Sequence, residues 1–279
     1  MVYFASLVLI KRPKKVYFFN SYSLLSFFLF KPFYSCKIIY HNFDYNPYVN
    51  STSQKFFTFI EKYLAKYFEF LIFSNDGRGK LFKKLSKIKK LKIFTIFNCL
   101  PKKNKKRNLN NYPKNKILFR IGSIGPQHSL KNLVISMKYL SGDFKLLLCG
   151  KITDYNYYKE ILNLIRLNKL QKRIKIKTFA KKVYWEKKIK QAAMGIALYE
   201  NPKNNISHKY MCGASQKINS YLSENLPILM SNEKQYVEFN KKYKCCINVN
   251  IKNPKNIAKS IKKNLINKKK FIKLKNKSY

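Results

Sequence analysis

From Lys116 onward, short apolar runs alternate with stretches of helical periodicity, and this alternation constrains the fold more than any other feature of the chain. The apolar runs predict strands at residues 117–121, 144–149, 173–178, 195–199, 227–230 and 245–249. The stretches between and after them predict amphipathic helices at 130–140, 157–168, 184–193, 216–224, 233–241 and 254–267. Because alternating strands and helices form a parallel sheet covered on both faces, the predicted fold class is α/β.

The first hundred residues repeat this pattern less completely. They predict strands at 16–20, 37–41, 70–74 and 92–98, and helices at 54–68 and 77–85. A polar, basic and Asn-rich stretch without periodicity follows at 102–114, as is typical of a linker. We therefore predict one domain at 1–108, a linker at 109–115 and a second domain at 116–279.

The chain is very basic, with 59 Lys and Arg against 12 Asp and Glu and a formal net charge of +47. Nucleic-acid binding, docking on an anionic membrane and compositional drift towards Lys, Asn, Ile, Phe and Tyr would each explain the excess. We favour drift, because the excess is spread over the whole chain and no nucleic-acid-binding module is visible. A specific nucleic-acid partner is not expected, whereas an anionic membrane surface stays a candidate partner.

The cysteines and the apolar stretches bear on location. None of the six cysteines forms a C-x-x-C pair, which indicates reduced, mostly buried thiols in a cytosolic protein without a zinc site. The longest uncharged stretch, 16–30, is about one helical turn shorter than a membrane span requires. The expected location is the cytoplasm, with peripheral attachment to the inner face of the membrane as an option.

Candidate binding residues follow the predicted strands. The loop 122–129 leaves one strand and enters a helix, and its glycines would let the backbone and the free N–H groups of the helix approach an anion. Gly150 and Lys151 follow the next strand, at the same edge of a parallel sheet. A tight turn that binds nothing is an equally good interpretation of the loop.

Two further candidates could carry chemistry. Glu200 follows the strand 195–199 in a chain that has few acids, although a solvated loop carboxylate is the alternative. His41 ends the strand 37–41, and a single histidine is more often structural than catalytic.

Taken in order, these motifs resemble the bacterial glycosyltransferases of the GT-B fold, the group that includes family four. The resemblance covers most of the chain after Lys116 and rests on the order of the runs ILFRIGSIGP, LKNL, KLLLCG, AMGIALYE and KINSYLSENLPI, which begin at positions 117, 130, 145, 193 and 217. It is fainter in the N-terminal half, where IIYHN at 38–42 is similar to a strand and loop of the acceptor domain.

The resemblance implies two Rossmann-like domains with parallel sheets and a donor nucleotide held between them. The N-terminal domain is expected to be incomplete, because its first strand–helix units would precede Met1. The implied activity is transfer of a sugar, with retention of configuration, from a nucleotide-sugar donor to a glycan or lipid-linked acceptor in cell-envelope polysaccharide synthesis. The resemblance implies no metal or other cofactor. Glu200 and His41 would be catalytic, and the donor would be bound by Gly122, Ser123, Gly125, His128, Gly150, Lys151, Phe179, Asn204, Asn205, Lys217 and Ser220.

Four positions depart from the family pattern. Ser220 replaces a glutamate expected to hold the ribose, His128 and Ser129 replace an Arg-Gly pair, and Asn225 replaces a glycine. Asparagine tolerates the left-handed backbone that such a glycine adopts. The other departures favour an alternative, a truncated or inactive relative that retains only nucleotide binding or the fold. A charge-driven nucleic-acid binder is the remaining alternative.

Overall fold

The chain divides into two compact units. The computed structural model describes residues 2–47, 51–88, 90–99, 116–200, 207–266 and 272. Unit 1 is Met1–Asn98 with Pro202–Ala214, and unit 2 is Cys99–Asn201 with Ser215–Tyr279. The predicted linker, 109–115, lies outside the described residues.

Residues 207–214, which the sequence analysis placed in the second domain, are part of unit 1. The side-chain amide of Asn75 donates a hydrogen bond to the carbonyl oxygen of Cys212 at 2.6 Å. The backbone N–H of Asn98 donates to the carbonyl oxygen of Gly213 at 2.7 Å. These bonds join positions far apart in sequence, which is why strand and helix periodicity did not reveal them.

Unit 1 contains a four-stranded parallel sheet with the order β1-β2-β3-β4. The strands are β1 Lys15–Phe19, β2 Lys37–Asn42, β3 Phe68–Phe73 and β4 Lys92–Thr95. The helices are α1 Val2–Lys11, α2 Asn20–Phe30, α3 Thr52–Leu64 and α4 Asp76–Ser86, with 3₁₀ turns at Ala65–Tyr67 and Ser207–Tyr210. The predicted strands are all present with shifted ends.

Helix α3 is amphipathic, and its buried face includes a carboxyl group, that of Glu61. It begins after Ser51, whose hydroxyl accepts the backbone N–H of Gln54, and it turns Ile60 and Leu64 towards the core. Glu61 lies on the same buried face and is 3% exposed. Its carboxylate accepts hydrogen bonds from the Tyr40 hydroxyl and from the Asn42 amide. Burial raises the pKa of Glu61 to about 7.

Unit 2 contains a six-stranded parallel sheet with the order β10-β9-β8-β5-β6-β7. The strands are β5 Lys116–Ile121, β6 Phe144–Cys149, β7 Ile174–Lys177, β8 Met194–Ala197, β9 Ile228–Ser231 and β10 Cys246–Val249. The helices are α5 Leu130–Ser136, α6 Tyr155–Leu167, α7 Lys182–Gln191, α8 Gln216–Leu222, α9 Lys234–Tyr243 and α10 Pro254–Leu265, with 3₁₀ turns at Pro126–His128 and Met137–Tyr139.

The order of this sheet reverses at β5. The chain adds β6 and β7 on one side of β5, and then β8, β9 and β10 on the other. In such sheets the loops that leave the two central strands diverge to opposite faces and open a crevice for ligands. Here the two loops are those that follow β5 and β8. The loop 122–129 and Glu200 therefore both lie where the strand order reverses.

The predicted α/β class with parallel sheets is confirmed. The six cysteines are free thiols, and four of them are buried. Within the described ranges, none of the helices combines the length and the apolar character that a membrane crossing requires.

Candidate functional site

The loops after β5 and β6 touch at two glycines. The N–H of Gly122 donates to the carbonyl oxygen of Cys149 at 2.9 Å. Gly150 has a φ of +154°, and a Cβ atom there would lie 1.9 Å from the carbonyl oxygen of Gly122. A Cβ on Gly125 would lie 2.5 Å from Oγ1 of Thr153. Glycine is therefore required at position 150 by the close approach of the Gly122 backbone, whereas a Cβ at Gly125 would displace only the Thr153 side chain.

Arg120 is buried beneath this contact and was not among the predicted site residues. Its side chain is 1% exposed, and its guanidinium donates hydrogen bonds to the carbonyl oxygens of Gly122 and Ser123. Burial lowers the pKa of Arg120 to about 10, so the group is still protonated at neutral pH. Among the described residues, no carboxylate forms an ion pair with it.

Lys217 adds a second cation at the same place. A Cβ atom on Gly122 would lie 3.4 Å from Nζ of Lys217 and 3.8 Å from Nη2 of Arg120. Burial, followed by the charge of Arg120, lowers the pKa of Lys217 well below its usual value. Within the described part of the chain, its ammonium group has neither a hydrogen-bond nor an ion-pair partner. Two cations beside one glycine without a carboxylate form a site that favours an anion.

Tyr199 holds the Lys217 side chain in position. The ammonium group lies 4.7 Å from the centroid of the Tyr199 ring, a cation–π contact. The Tyr199 hydroxyl is 2.9 Å from Oγ of Ser215, and its ring stacks on that of Tyr236 at 5.9 Å. The buried ring therefore fixes the direction in which Lys217 points.

Ser123 and His128 close the loop 122–129 on itself. Oγ of Ser123 lies 2.8 Å from Nε2 of His128, and the imidazole meets the ring of Tyr199 edge-on at 5.8 Å. Ser129, which follows, has a φ of 50° in the left-handed region. The family glycine at this position would avoid that strain.

The start of helix α5 offers fewer free N–H groups than the sequence analysis expected. The hydroxyl of Tyr157 accepts the N–H of Leu130 at 3.1 Å and that of Lys131 at 3.3 Å. A side chain from α6 therefore already binds two of the N–H groups that were predicted to bind a phosphate. Arg120 and Lys217 supply the positive charge beside this loop.

Two further predicted residues of unit 2, Glu200 and Lys151, are hydrogen-bonded through their backbones to the loop 122–129. The N–H of Glu200 donates to the carbonyl oxygen of Gln127 at 3.0 Å, so the backbone of Glu200 lies beside the loop 122–129, and its side chain is exposed. The carbonyl oxygen of Lys151 accepts the N–H of Ile124 at 2.8 Å, while the Lys151 side chain is exposed.

Ser220 and Phe179 differ in burial. Ser220 is buried one helical turn after Lys217. Phe179 follows the edge strand β7 and is 82% exposed. Asn204 and Asn205 lie outside the described residues.

His41 belongs to unit 1, at the end of β2. Nδ1 of its ring is hydrogen-bonded to the hydroxyl of Tyr17, and its ring packs against those of Phe19 and Phe43. Burial lowers its pKa, which favours the neutral imidazole. Nε2 is buried and has no hydrogen-bond partner among the described residues. The catalytic role of His41 stays a prediction from the sequence.

Two other observations concern the backbone at Asn225 and the possibility of a metal site. Asn225 adopts a φ of 50°, as expected for an asparagine in place of a glycine. The described residues contain no group of three or more His, Cys, Asp or Glu side chains that could hold a metal ion. Sequence reasoning missed Arg120, Tyr157 and Tyr199, although a charge inside the apolar run 117–121 was a usable signal for the first.

Comparisons with known proteins address the fold. No family model matches the sequence, and no curated protein is significantly similar to it in sequence. The structure is similar to the crystal structure of HepE from Anabaena in complex with UDP and glucose, with a TM-score of 0.73 and 12% identity over 98% of this chain and 75% of that chain.

Two further crystal structures are similar. A glycosyltransferase from Rickettsia africae has a TM-score of 0.73 and 15% identity over 99% of this chain and 73% of that chain. Sucrose-phosphate synthase from Thermosynechococcus elongatus has a TM-score of 0.67 and 12% identity over 99% of this chain and 70% of that chain. The fold that the sequence motifs implied is therefore confirmed: this chain has the GT-B fold.

Proposed function

We propose that the chain transfers a sugar from a nucleotide-sugar donor to an acceptor, and that unit 2 binds the diphosphate of the donor beside Gly122. The observation that carries this proposal is the pair of cations, Arg120 and Lys217, which face one glycine without a carboxylate among the described residues. A diphosphate supplies the missing negative charge. The lack of a side chain at Gly122 leaves room for it.

The same cations would assist the reaction. Negative charge accumulates on the diphosphate as its bond to the sugar breaks, and fixed cations stabilise that charge without reorganising. No metal ion is part of this proposal. We assign Glu200 to the donor sugar or to the transition state, because its backbone is hydrogen-bonded to the loop 122–129.

The finer parts of the proposal come from the sequence. The resemblance implies retention of configuration, a glycan or lipid-linked acceptor and a role in cell-envelope polysaccharide synthesis. The basic composition and the reduced cysteines point to work at an anionic membrane surface on the cytoplasmic side. The HepE structures contain UDP, UDP with glucose, or UDP-glucose, which supports a nucleotide-sugar as the class of donor.

Calorimetric titration with UDP, GDP and their sugar conjugates, without metal and at two salt concentrations, tests donor binding. We expect one nucleotide to bind selectively and to keep its affinity at moderate salt, since a buried arginine and a half-buried lysine are screened less than exposed lysines. Binding that is equal for all nucleotides and vanishes with salt would contradict a built diphosphate site.

A second candidate is a protein that binds the nucleotide but transfers no sugar. Ser220 favours it, because a buried hydroxyl stands where the family has a glutamate. Incubation of the purified chain with the donor that binds, followed by detection of released nucleoside diphosphate, separates the two candidates. Turnover that Glu200→Gln lowers by orders of magnitude supports the enzyme, and binding without turnover supports the second candidate.

A further inference from the structure

Unit 1 exposes a group of aromatic side chains on helices α2 and α3. We call Phe28, Phe56, Phe59 and Tyr63 the aromatic row, and they are 50%, 52%, 63% and 46% exposed. The three members on α3 are spaced at i, i+3 and i+7, which places them on one face. Phe28 joins them across the helix pair, since its ring lies 6.3 Å from that of Tyr63. An exposed apolar surface of this kind marks a site of interaction.

An open cavity of about 670 Å³ lies at the amino ends of β1, β2 and β3. Its lining includes Lys14, Lys15, Lys37 and Lys66, and Glu69 is the one carboxylate among the described residues that line it. Oε1 of Glu69 lies 3.3 Å from Nζ of Lys15 and 3.6 Å from Nζ of Lys37. Four cations against one carboxylate leave the cavity strongly positive.

The aromatic row and the cavity form one continuous surface. Nζ of Lys66 lies 5.1 Å from the ring centroid of Tyr63 and 5.2 Å from that of Tyr67, which itself lines the cavity. Nζ of Lys31 lies 4.2 Å from the centroid of the same Tyr67 ring. The topology explains this continuity, because helices that connect parallel strands run antiparallel to them and end at the amino edge of the sheet.

We propose that this surface docks on a bilayer that contains anionic phospholipid, with a headgroup phosphate in the cavity and the aromatic row at the level of the headgroups. Aromatic rings beside lysines with long apolar stems are the side chains that the boundary between water and lipid favours. The positive cavity is complementary in charge to an anionic headgroup. The inference deepens the membrane part of the proposed function and rests on it.

A single-stranded nucleic acid also binds basic, aromatic surfaces, but it stacks its bases on free ring faces. Here the rings of Phe59 and Tyr63 already stack on each other, with an angle of 20° between their planes. The bilayer therefore fits the geometry better, because insertion requires ring edges and apolar area, not open faces.

A single tryptophan in the aromatic row tests insertion. Trp185, in unit 2, is the one tryptophan of the chain, so Trp185→Phe with Phe59→Trp gives a reporter at the proposed surface. We expect its emission to shift to the blue with vesicles of phosphatidylglycerol and phosphatidylcholine, and to be quenched by brominated acyl chains. The control is Trp185→Phe with Leu167→Trp, since Leu167 is 66% exposed on α6. Equal responses of the two reporters, or none, would overturn the proposal.

A matched pair of charge variants separates this surface from the general charge of the chain. We expect Lys37→Gln with Lys66→Gln to lower the vesicle partition coefficient on the order of tenfold, because each lysine near an anionic surface contributes to binding. Lys145→Gln with Lys175→Gln removes two exposed lysines of unit 2 and should lower it much less. Equal losses of vesicle binding in the two variants would mean that charge alone drives binding, and would contradict the proposed surface. A tryptophan at position 59 that responded to an oligonucleotide but not to vesicles would also contradict it.

The nucleotide titration distinguishes the two proposals. The Lys37→Gln, Lys66→Gln variant should keep the nucleotide affinity of the parent chain while it loses vesicle binding. Loss of both would indicate misfolding, which circular dichroism would detect. Failure of docking with nucleotide binding intact would refute this inference and leave the donor site in place.

Discussion

Nζ of Lys217 and the guanidinium of Arg120 approach the same side of Gly122, at 3.4 Å and 3.8 Å from the point where a Cβ atom would lie. Each group has a lowered pKa, for which burial is the main cause, and the charge of Arg120 further lowers the pKa of Lys217. The two cations are therefore expected to destabilise the ligand-free protein, and under the proposed function a bound anion would offset this effect.

Lys217→Met should stabilise the ligand-free chain and weaken nucleotide binding. Replacing a poorly paired, desolvated cation with an apolar side chain of similar length is expected to add about 1 kcal/mol to the free energy of unfolding. Loss of a charged contact to phosphate should lower the nucleotide affinity by roughly tenfold to a hundredfold. Thermal unfolding with and without nucleotide measures both effects.

Lys145→Met serves as the control for that variant, since Lys145 is an exposed lysine of β6. It should change neither the unfolding temperature nor the nucleotide-induced shift. If Lys217→Met bound nucleotide as well as the parent chain, the assignment of Lys217 to the diphosphate would be wrong.

Gly150→Ala should disrupt unit 2. The added Cβ would lie 1.9 Å from the carbonyl oxygen of Gly122, and the alanine would also have to adopt a φ of +154°. Relief requires movement of backbone, so we expect a loss of roughly 4 kcal/mol or more in stability. Gly142→Ala is the matched control, because nothing lies within 4 Å of its added Cβ. Denaturant unfolding that showed equal stability for both variants would contradict the close approach of the two loops.

Tyr157→Phe should destabilise unit 2 by about 1–3 kcal/mol, because the N–H groups of Leu130 and Lys131 lose their acceptor at the start of α5. Tyr158→Phe removes a hydroxyl from the next, half-buried position and should have little effect. If phosphate occupied this helix start, nucleotide would restore the stability of Tyr157→Phe selectively. We expect equal nucleotide-induced shifts in the two variants, measured by thermal unfolding.

Glu61 should make unit 1 less stable as the pH rises. Burial raises its pKa from the ordinary 4.5 to about 7, so between these values the folded state holds a proton that the unfolded state has released. This contribution is fully present below about pH 4.5 and is lost as the pH rises through about 7, on the order of 3 kcal/mol in total. Unfolding curves from pH 4.5 to 8 should show a slope that Glu61→Gln removes.

Glu160→Gln is the control for this slope, since Glu160 is an exposed carboxylate of unit 2. Its variant should follow the pH dependence of the parent chain. A Glu61→Gln protein that kept the full slope would show that another group causes it.

Local sequence patterns were sufficient for the elements of both sheets. The strand 144–149 was predicted with the bounds that the structure shows, because its six residues are mostly apolar and polar turns enclose them. The parallel order also followed from the alternation of strands with helices. Helices α1 and α2, which the sequence analysis did not predict, are short apolar segments whose periodicity distinguishes poorly between helix and buried strand.

The candidate site was predicted in outline only. The loop 122–129, Gly150 and Lys217 do converge, because the carboxyl ends of parallel strands share one edge of the sheet. The role of Tyr157 depends on a hydroxyl that reaches α5 from α6. That contact joins residues 27 positions apart, and no spacing rule reveals it.

By itself, therefore, the sequence determined the α/β class, the sheet-forming runs and the candidate loops, since these depend on periodicity and glycine over a few neighbouring residues. Only the tertiary structure decided which charges lack a partner and which glycines are required. Burial beside Lys217 distinguishes Arg120 from the other basic residues among the 59 Lys and Arg and makes it half of the proposed anion site. The physical reason is that desolvation and close approach arise from the packing of distant segments, which local periodicity does not encode.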